Sequence, residues 1–294
     1  MKVKVFAKLN LSLAVGARQG DFHPIDSVAT SVDICDVVQV SPRSDAQITV
    51  NRLPQIAMEQ NSAYKAAVAF QKAFFTPGVE IFIEKGIPFG AGLGGSSADA
   101  AAVVYCMCKL FGVDTRSKEI YELCSKLGSD VNFMLFGGLG RLQGKGDDVT
   151  LFALAKPLYF ALTTFDCSMS SGQVYSAFDN LIDNKLSFAT PCSKLETSSN
   201  EKLLDLLRNG RNEQAIELLS NDLQVATRNI SNYADKYISF ISSQGLRCNM
   251  TGSGSAYYVA CVTKSDAERV ASLLNANGFT TIVCNSVPIG ITNK

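Results

Sequence analysis

The sequence has little of several residue types on which particular functions depend. It contains no tryptophan and a single histidine, His23, and its 27 basic residues are balanced by 27 acidic ones. One histidine, with nine cysteines that form no Cys-x-x-Cys pair, argues against a zinc site, and we name no metal-ligating residue. The balanced charge argues against a nucleic-acid partner, because such proteins carry a basic surface.

Long apolar runs are also missing. The longest wholly apolar stretch, residues 100–108, is too short to span a bilayer, and the first residues lack the features of a signal peptide. The cysteines are odd in number and lie mostly in apolar stretches, which is typical of reduced, buried thiols. We therefore expect a cytoplasmic protein with no membrane partner; the sequence does not indicate its oligomeric state.

The order of predicted elements indicates an α+β protein in two lobes. Alternating patterns predict strands within residues 1–60 and at 79–86, and a helix from Ser62 to about Phe75. Residues 172–240 read mostly as helices, and the last fifty residues read as strand, glycine loop, strand, helix and strand. We predict lobes at 1–155 and 156–294, with a soft boundary.

The segment PFGAGLGGSSADAAA (88–102) joins a predicted strand to a predicted helix. The first turn of a helix leaves backbone N–H groups without partners, and glycines allow a phosphate to approach them. The alternative is a turn whose serine only caps the helix, but four glycines in six positions exceed what a cap needs. The predicted phosphate-binding residues are Pro88, Gly90, Gly92, Leu93, Gly94, Gly95, Ser96 and Ser97.

Two known phosphate motifs compete for this loop. Gly90, Gly92 and Gly95 match the dinucleotide fingerprint of oxidoreductases as a string, but no acidic residue ends a clear second parallel strand at the required distance. The motif G-x-x-x-x-G-K-[ST] is absent. A third arrangement therefore fits the loop better, although a dinucleotide-dependent oxidoreductase stays as a remote alternative.

That third arrangement resembles the phosphate-binding motif of the GHMP kinases. AKLNLSL (7–13) and MTGSGSAYY (250–258) resemble the family's first and last motifs. DFHPIDSV (21–28), NSAYKAA (61–67) and LGSDVNFML (127–135) are similar to the branch whose acceptor is 4-diphosphocytidyl-2-C-methyl-D-erythritol.

The resemblance implies the two-lobed GHMP kinase fold, with an N-terminal lobe like ribosomal protein S5 and a ferredoxin-like C-terminal lobe. It also implies transfer of phosphate from ATP, with Mg²⁺, to the 2-hydroxyl of this small-molecule acceptor in the non-mevalonate isoprenoid pathway. ATP and the acceptor would meet in the cleft between the lobes.

The resemblance implies a catalytic role for Asp130, which would take the proton from the attacking hydroxyl, and for Lys8, which would keep that carboxylate ionised. From the residues alone, Asp130 could equally cap a helix and Lys8 could be a surface charge. The segment GSDVNF departs from the common family sequence at Ser129 and Asn132.

The resemblance also implies an acceptor site in which His23 recognises cytosine. Phe22 stands where this branch has a tyrosine, so stacking on cytosine is retained while a hydroxyl contact is lost. By the same resemblance, Tyr175 would form the other face of a cytosine sandwich. The implied substrate-binding residues are Asn10, Phe22, His23, Tyr175, Thr251, Gly252, Ser253 and Gly254. Two alternatives stay open: a GHMP kinase with another alcohol acceptor, and a catalytically silent nucleotide-binding module.

Overall fold

A computed structural model describes residues 1–51, 57–166, 169–183 and 197–294. Its strands are β1 (Lys2–Val15), β2 (Ile25–Pro42), β3 (Thr49–Val50), β4 (Val79–Glu84), β5 (Leu139–Gly144), β6 (Asp148–Phe152), β7 (Tyr159–Thr163), β8 (Ser220–Asn221), β9 (Asn249–Met250), β10 (Tyr257–Cys261), β11 (Thr281–Val287) and β12 (Ile291–Asn293). Its α-helices are α1 (Ser62–Phe74), α2 (Gly95–Phe111), α3 (Lys118–Leu127), α4 (Val131–Phe136), α5 (Ser171–Asp183), α6 (Thr197–Arg208), α7 (Asn212–Ile216), α8 (Gln224–Ile230), α9 (Asn232–Ser243) and α10 (Lys264–Ala276). The α+β prediction is confirmed.

Strand β1 is buried on both faces, for two different reasons. Its alternate apolar residues, from Val3 to Leu11, are fully buried against the core, as the period of two along a strand requires. On the opposite face, Lys8 and Asn10 are also buried, 4% and 3% exposed. A strand that buries polar residues on one face brings them to an internal site rather than to the surface.

The first sheet is built around β2, which pairs antiparallel with β1, β4 and β5. Helices α1 and α2 pack together through fully buried residues that include Ala66, Ala67 and Ala101, because small side chains allow two helices to approach closely. After α2 the chain continues into α3 rather than into a strand parallel to β4. The dinucleotide-fingerprint interpretation is therefore wrong, since it requires that parallel strand.

The second lobe carries an antiparallel sheet in the order β11, β7, β10, β9, covered by α10. The end of β11 then pairs with β2, and β12 pairs with β1, so the last strands lie on the first sheet. The division at residue 155 stays a prediction. Residues 184–196, within the predicted helical region, lie outside the described residues.

Seven cysteines in the described ranges are free thiols; Cys35 is half-buried and the other six are buried. Cys167 and Cys192 lie outside those ranges. Within the described part of the chain, every helix is too short or too polar to cross a bilayer.

Candidate active site

A cavity of about 550 Å³ lies where the two lobes meet. Strand β1 forms one wall with Lys8 and Asn10, and the glycine loop between β4 and α2 forms another. The turn before α4 contributes Asp130, and the loop after β9 contributes Gly252 and Gly254. Its volume is in the usual range for a small-molecule site.

The glycine loop ends at the first turn of α2. Gly90, Gly92 and Gly94 have φ values of 62°, 75° and 75°, a region that other residues rarely adopt. Gly94 is the N-cap and has no side chain with which to cap the helix, so Ser96 and Ser97 lie in the first turn. The serine-cap alternative is therefore wrong, and the N–H groups of this turn are left for a ligand.

At two of these glycines, neighbouring protein atoms leave no room for a side chain. A Cβ atom on Gly92 would lie 2.2 Å from the carbonyl oxygen of Thr251, and one on Gly94 would lie 2.1 Å from Cε of Met134. The backbone N–H of Ala256 donates to the carbonyl of Ala91 at 3.2 Å, which ties the two glycine-rich loops together. Close packing of the loops, as well as room for a ligand, requires glycine here.

Lys8 and Asp130 meet inside the cavity. The ammonium nitrogen of Lys8 lies 3.4 Å from Oδ2 of Asp130, whose side chain is 27% exposed. Asp130 immediately precedes α4 but makes no capping hydrogen bond with its side chain. The helix-cap alternative is therefore wrong, and the carboxylate of Asp130 faces the cavity.

Asn10 holds Lys8 and the second glycine loop together. Its Oδ1 accepts from the ammonium of Lys8 and, at 2.9 Å, from the backbone N–H of Gly252. Its Nδ2 donates to Ser27 Oγ at 2.8 Å. Lys8 and Asn10 are two residues apart on a strand, so their side chains point to the same face. The network fixes the lysine in front of Asp130.

A second cavity, of about 380 Å³, surrounds His23. The His23 ring stacks on Tyr175, with centroids 5.3 Å apart and planes 25° apart. Its Nδ1 lies 3.0 Å from the carbonyl oxygen of Gly16, and its Nε2 lies 3.1 Å from Oδ1 of Asp179. Helix α5 supplies both Tyr175 and Asp179, which are one turn apart.

Family models for the GHMP kinases match two segments, the N-terminal domain at residues 61–138 and the C-terminal domain at 203–279. A 4-diphosphocytidyl-2-C-methyl-D-erythritol kinase of Clostridium tetani is 34% identical over 86% of this chain and 88% of the relative. The chain belongs to the GHMP kinase family. A kinase of the same description from Desulfitobacterium hafniense is 31% identical over 97% of this chain and 95% of the relative.

Solved structures agree with this GHMP kinase assignment. A crystal structure of 4-(cytidine 5′-diphospho)-2C-methyl-D-erythritol kinase is 26% identical, covers 99% of both chains and superposes with a TM-score of 0.76. Homoserine kinase from Cytophaga hutchinsonii shares the fold, with a TM-score of 0.73 at 17% identity over 99% of this chain and 96% of that one. The protein is thus a small-molecule kinase that uses ATP, with the two-lobed fold that the resemblance implied.

Most of the predicted site residues of this GHMP kinase converge. The larger cavity is lined by Lys8, Asn10, Pro88, Gly90, Gly92, Leu93, Gly94, Gly95, Ser96, Ser97, Asp130, Tyr175, Gly252, Ser253 and Gly254. Phe22 and His23 line the smaller one. Thr251 is the exception: it is fully buried, and its hydroxyl donates to the Gly92 carbonyl at 3.2 Å. It supports the two loops from behind rather than facing a ligand.

The predicted stacking of cytosine between Phe22 and Tyr175 stays a prediction. The His23 ring stacks on Tyr175 with centroids 5.3 Å apart, so one face of Tyr175 is covered by a protein ring. The Phe22 ring lies 4.6 Å from the ammonium of Lys145. Burial, with a smaller contribution from the charge of Asp130, raises the pKa of Tyr175 to about 12, so its phenol stays neutral.

Sequence reasoning missed a buried cluster beside the glycine loop of this GHMP kinase. Lys85 forms ion pairs with Asp36 and, at 2.8 Å, with Asp99 in α2. Burial acts against the charge of Lys85, but the carboxylates of Asp99 and Asp36 outweigh it and raise the pKa of the lysine. Oδ1 of Asp36 also accepts from the backbone N–H groups of Gly86 and Ile87. The cluster anchors the loop where it leaves β4.

Proposed function

We propose that this kinase transfers the γ-phosphoryl group of ATP to the 2-hydroxyl of 4-diphosphocytidyl-2-C-methyl-D-erythritol. The reaction belongs to non-mevalonate isoprenoid precursor synthesis, in the cytoplasm. One observation carries the proposal. The cavity that holds the Lys8–Asp130 pair and the pocket around His23 have lining residues in common, so the two adjoin each other. A phosphate site, a candidate base and an aromatic pocket are therefore contiguous.

In this proposal the first turn of α2 holds the phosphates. The residues of this turn line the cavity, and the helix dipole favours negative charge there. The hydroxyls of Ser96 and Ser97 add donors at the same end of the helix, with Ser97 preferred. On the other side of the cavity, the N–H groups of Gly252 and Gly254 donate to Asn10 Oδ1 and to the Thr251 carbonyl, so these glycines shape the wall of the site instead of binding the phosphates.

Asp130 is the proposed base for the acceptor hydroxyl. Its carboxylate accepts the proton while the ammonium of Lys8, held by Asn10 and 3.4 Å from the carboxylate, helps to orient the hydroxyl. The hydroxyl oxygen then forms its bond to the γ-phosphorus while the bond to the β-phosphate oxygen breaks. Because phosphoryl transfer is catalysed mostly by positioning and electrostatics, the fixed Lys8–Asn10 pair is as important as the base.

Mg²⁺ is included as the expected counter-ion of the ATP phosphates. The part of the chain that the structure describes holds no cluster of three His, Cys, Asp or Glu residues able to bind a metal. A Mg²⁺ ion here would be held mainly by phosphates and water, with one protein oxygen from a serine of the glycine loop, Ser96 or Ser97. Bound there, it neutralises charge on the phosphates.

The proposal is tested by ADP release with ATP and Mg²⁺, in the presence and absence of the proposed acceptor. Asp130→Asn keeps the shape of the side chain but removes the base, and we expect it to lower kcat about 10²- to 10⁴-fold. Asp148→Asn, at an exposed position outside both cavities, is the matched control and should retain wild-type turnover.

Turnover that needs the acceptor and is lost in Asp130→Asn supports both the acceptor and the base. Turnover with another small alcohol, and none with this one, rejects the acceptor and retains the kinase. Acceptor-dependent turnover that survives in Asp130→Asn rejects the base.

A further inference from the structure

The proposed acceptor carries a diphosphate, and the site described so far offers that group no partner. The diphosphate joins the cytidine to the methylerythritol, so it must lie between the pocket of His23 and the Lys8–Asp130 pair. Four residues line both cavities and therefore mark this junction: Ser129, Lys145, Ser171 and Tyr175. Lys145 is the one cation among them.

The other cations of the two cavities are already paired with carboxylates. Lys8 faces Asp130, Lys85 is held by Asp36 and Asp99, and Arg18 lies 3.6 Å from Asp179. Among the residues that the structure describes, none brings a carboxylate within ion-pair distance of the Lys145 ammonium. It lies instead over the ring of Phe22, 4.6 Å from the centroid.

The turn that carries Lys145 is fixed by its backbone conformation, by packing and by hydrogen bonds. It joins β5 to β6, and Gly144 and Gly146 have φ values of 66° and 99°. A Cβ atom on Gly146 would lie 3.3 Å from Cβ of Ser129, so the turn packs directly against the residue before Asp130. The Asp147 carbonyl accepts from the Tyr121 hydroxyl at 2.7 Å and from Nδ2 of Asn132 at 3.4 Å.

Ser129 and Asn132 are the two positions at which GSDVNF departs from the common family sequence. Both lie against the turn of Lys145, one by packing and one by a hydrogen bond to its backbone. The two differences from the common family sequence therefore affect the contact with this turn, and the Lys8–Asp130 pair still forms.

We propose that Lys145 binds the diphosphate of the acceptor and so selects a nucleoside diphosphate compound over a neutral alcohol. The inference rests on the proposed function, because it assumes that the pocket of His23 receives a cytidine. The lysine contacts the same charge before and during phosphoryl transfer, so it contributes to acceptor binding more than to the chemical step.

The test compares the binding of cytidine 5′-diphosphate and cytidine by calorimetry, with excess ADP to occupy the glycine loop. Lys145→Met removes the charge and keeps an apolar side chain over Phe22, whereas Lys145→Arg keeps the charge. Lys118→Met, at an exposed helix position, is the matched control. We expect the wild type to bind the diphosphate at least about tenfold more tightly than cytidine, the usual effect of a charge-assisted contact.

In Lys145→Met this preference should vanish while cytidine binding stays within about twofold, and Lys145→Arg should restore most of it. In turnover, the KM for the acceptor should rise more than kcat falls. If Lys145→Met keeps the preference for the diphosphate, the lysine only packs on Phe22 and the inference fails while the acceptor stands. If the wild type binds neither compound, the proposed acceptor fails and the inference fails with it.

Discussion

Lys8, which is buried, and Lys85, which is partly buried, line the same cavity and are held in different ways. Lys8 has one carboxylate at 3.4 Å, and that carboxylate, on Asp130, is 27% exposed. Lys85 has two buried carboxylates, one of which, on Asp36, is fully buried and also binds two backbone N–H groups. A loosely held pair beside open space can exchange a proton with a ligand. The Lys85 ammonium is bound by two carboxylates of the protein, so we infer that it holds the loop in position.

Lys8→Met should produce the largest effect, and it should act on activity. Without the ammonium, Asp130 and the acceptor hydroxyl lose their orienting charge, and we expect kcat to fall about 10²- to 10³-fold. The free energy of unfolding should change by only about 1 kcal/mol, because replacing a buried charge by an apolar side chain of similar size is often nearly neutral. Steady-state kinetics and urea unfolding separate the two effects. A variant that unfolds easily but keeps its turnover would contradict the assignment.

Asp36→Ala should produce the opposite pattern, a loss of stability. It removes the fully buried partner of Lys85 and leaves the N–H groups of Gly86 and Ile87 without their acceptor. We expect the free energy of unfolding to fall by about 3 kcal/mol. Asp45→Ala breaks the exposed pair with Arg43 and should change little, since exposed ion pairs contribute little. Equal unfolding midpoints for the two variants would show that the cluster does not anchor the loop.

The pH dependence of stability gives a further test of the Lys85 cluster, through its buried partner Asp99. Burial raises the pKa of Asp99 to about 7 from its ordinary 3.8, although Lys85 opposes the shift and Asp36 adds to it. The folded state therefore holds a proton that the unfolded chain releases, so this residue's contribution to stability falls as pH rises through that interval.

Relative to Asp99→Asn, the wild type should lose about 3 kcal/mol of unfolding free energy between about pH 4 and about pH 7. Urea unfolding of both proteins across this range measures the difference. Parallel pH profiles would mean that Asp99 stays ionised beside Lys85 throughout the interval.

Several parts of the fold and site follow from local sequence. The alternation of β1, the helix that begins after the glycine loop and the turns around Gly252 depend on residues that are neighbours in the chain. Their predicted elements agree with the observed ones. The meeting of Lys8 with Asp130 was implied by the family resemblance, since the two residues are far apart in sequence.

The Lys85 cluster and the Lys145 turn were beyond sequence reasoning. Asp36 is 49 residues from Lys85, and a lysine between two glycines is typical of any surface turn. The position of Asp179, four residues after Tyr175, places the two side chains on one face of a helix. That spacing indicates a shared site only once both residues are known to lie on the same helix.

The sequence by itself determined where a helix start leaves backbone N–H groups without intrahelical partners, because glycine φ values and helix starts are properties of a few adjacent residues. Tertiary structure decided which charges are paired with each other and which line the cavity. Burial, desolvation and ion pairing depend on atoms brought together across β1, β2 and α2, and no local pattern specifies them. That is why Lys8 on β1 and Lys85 just after β4 have different partners in one cavity.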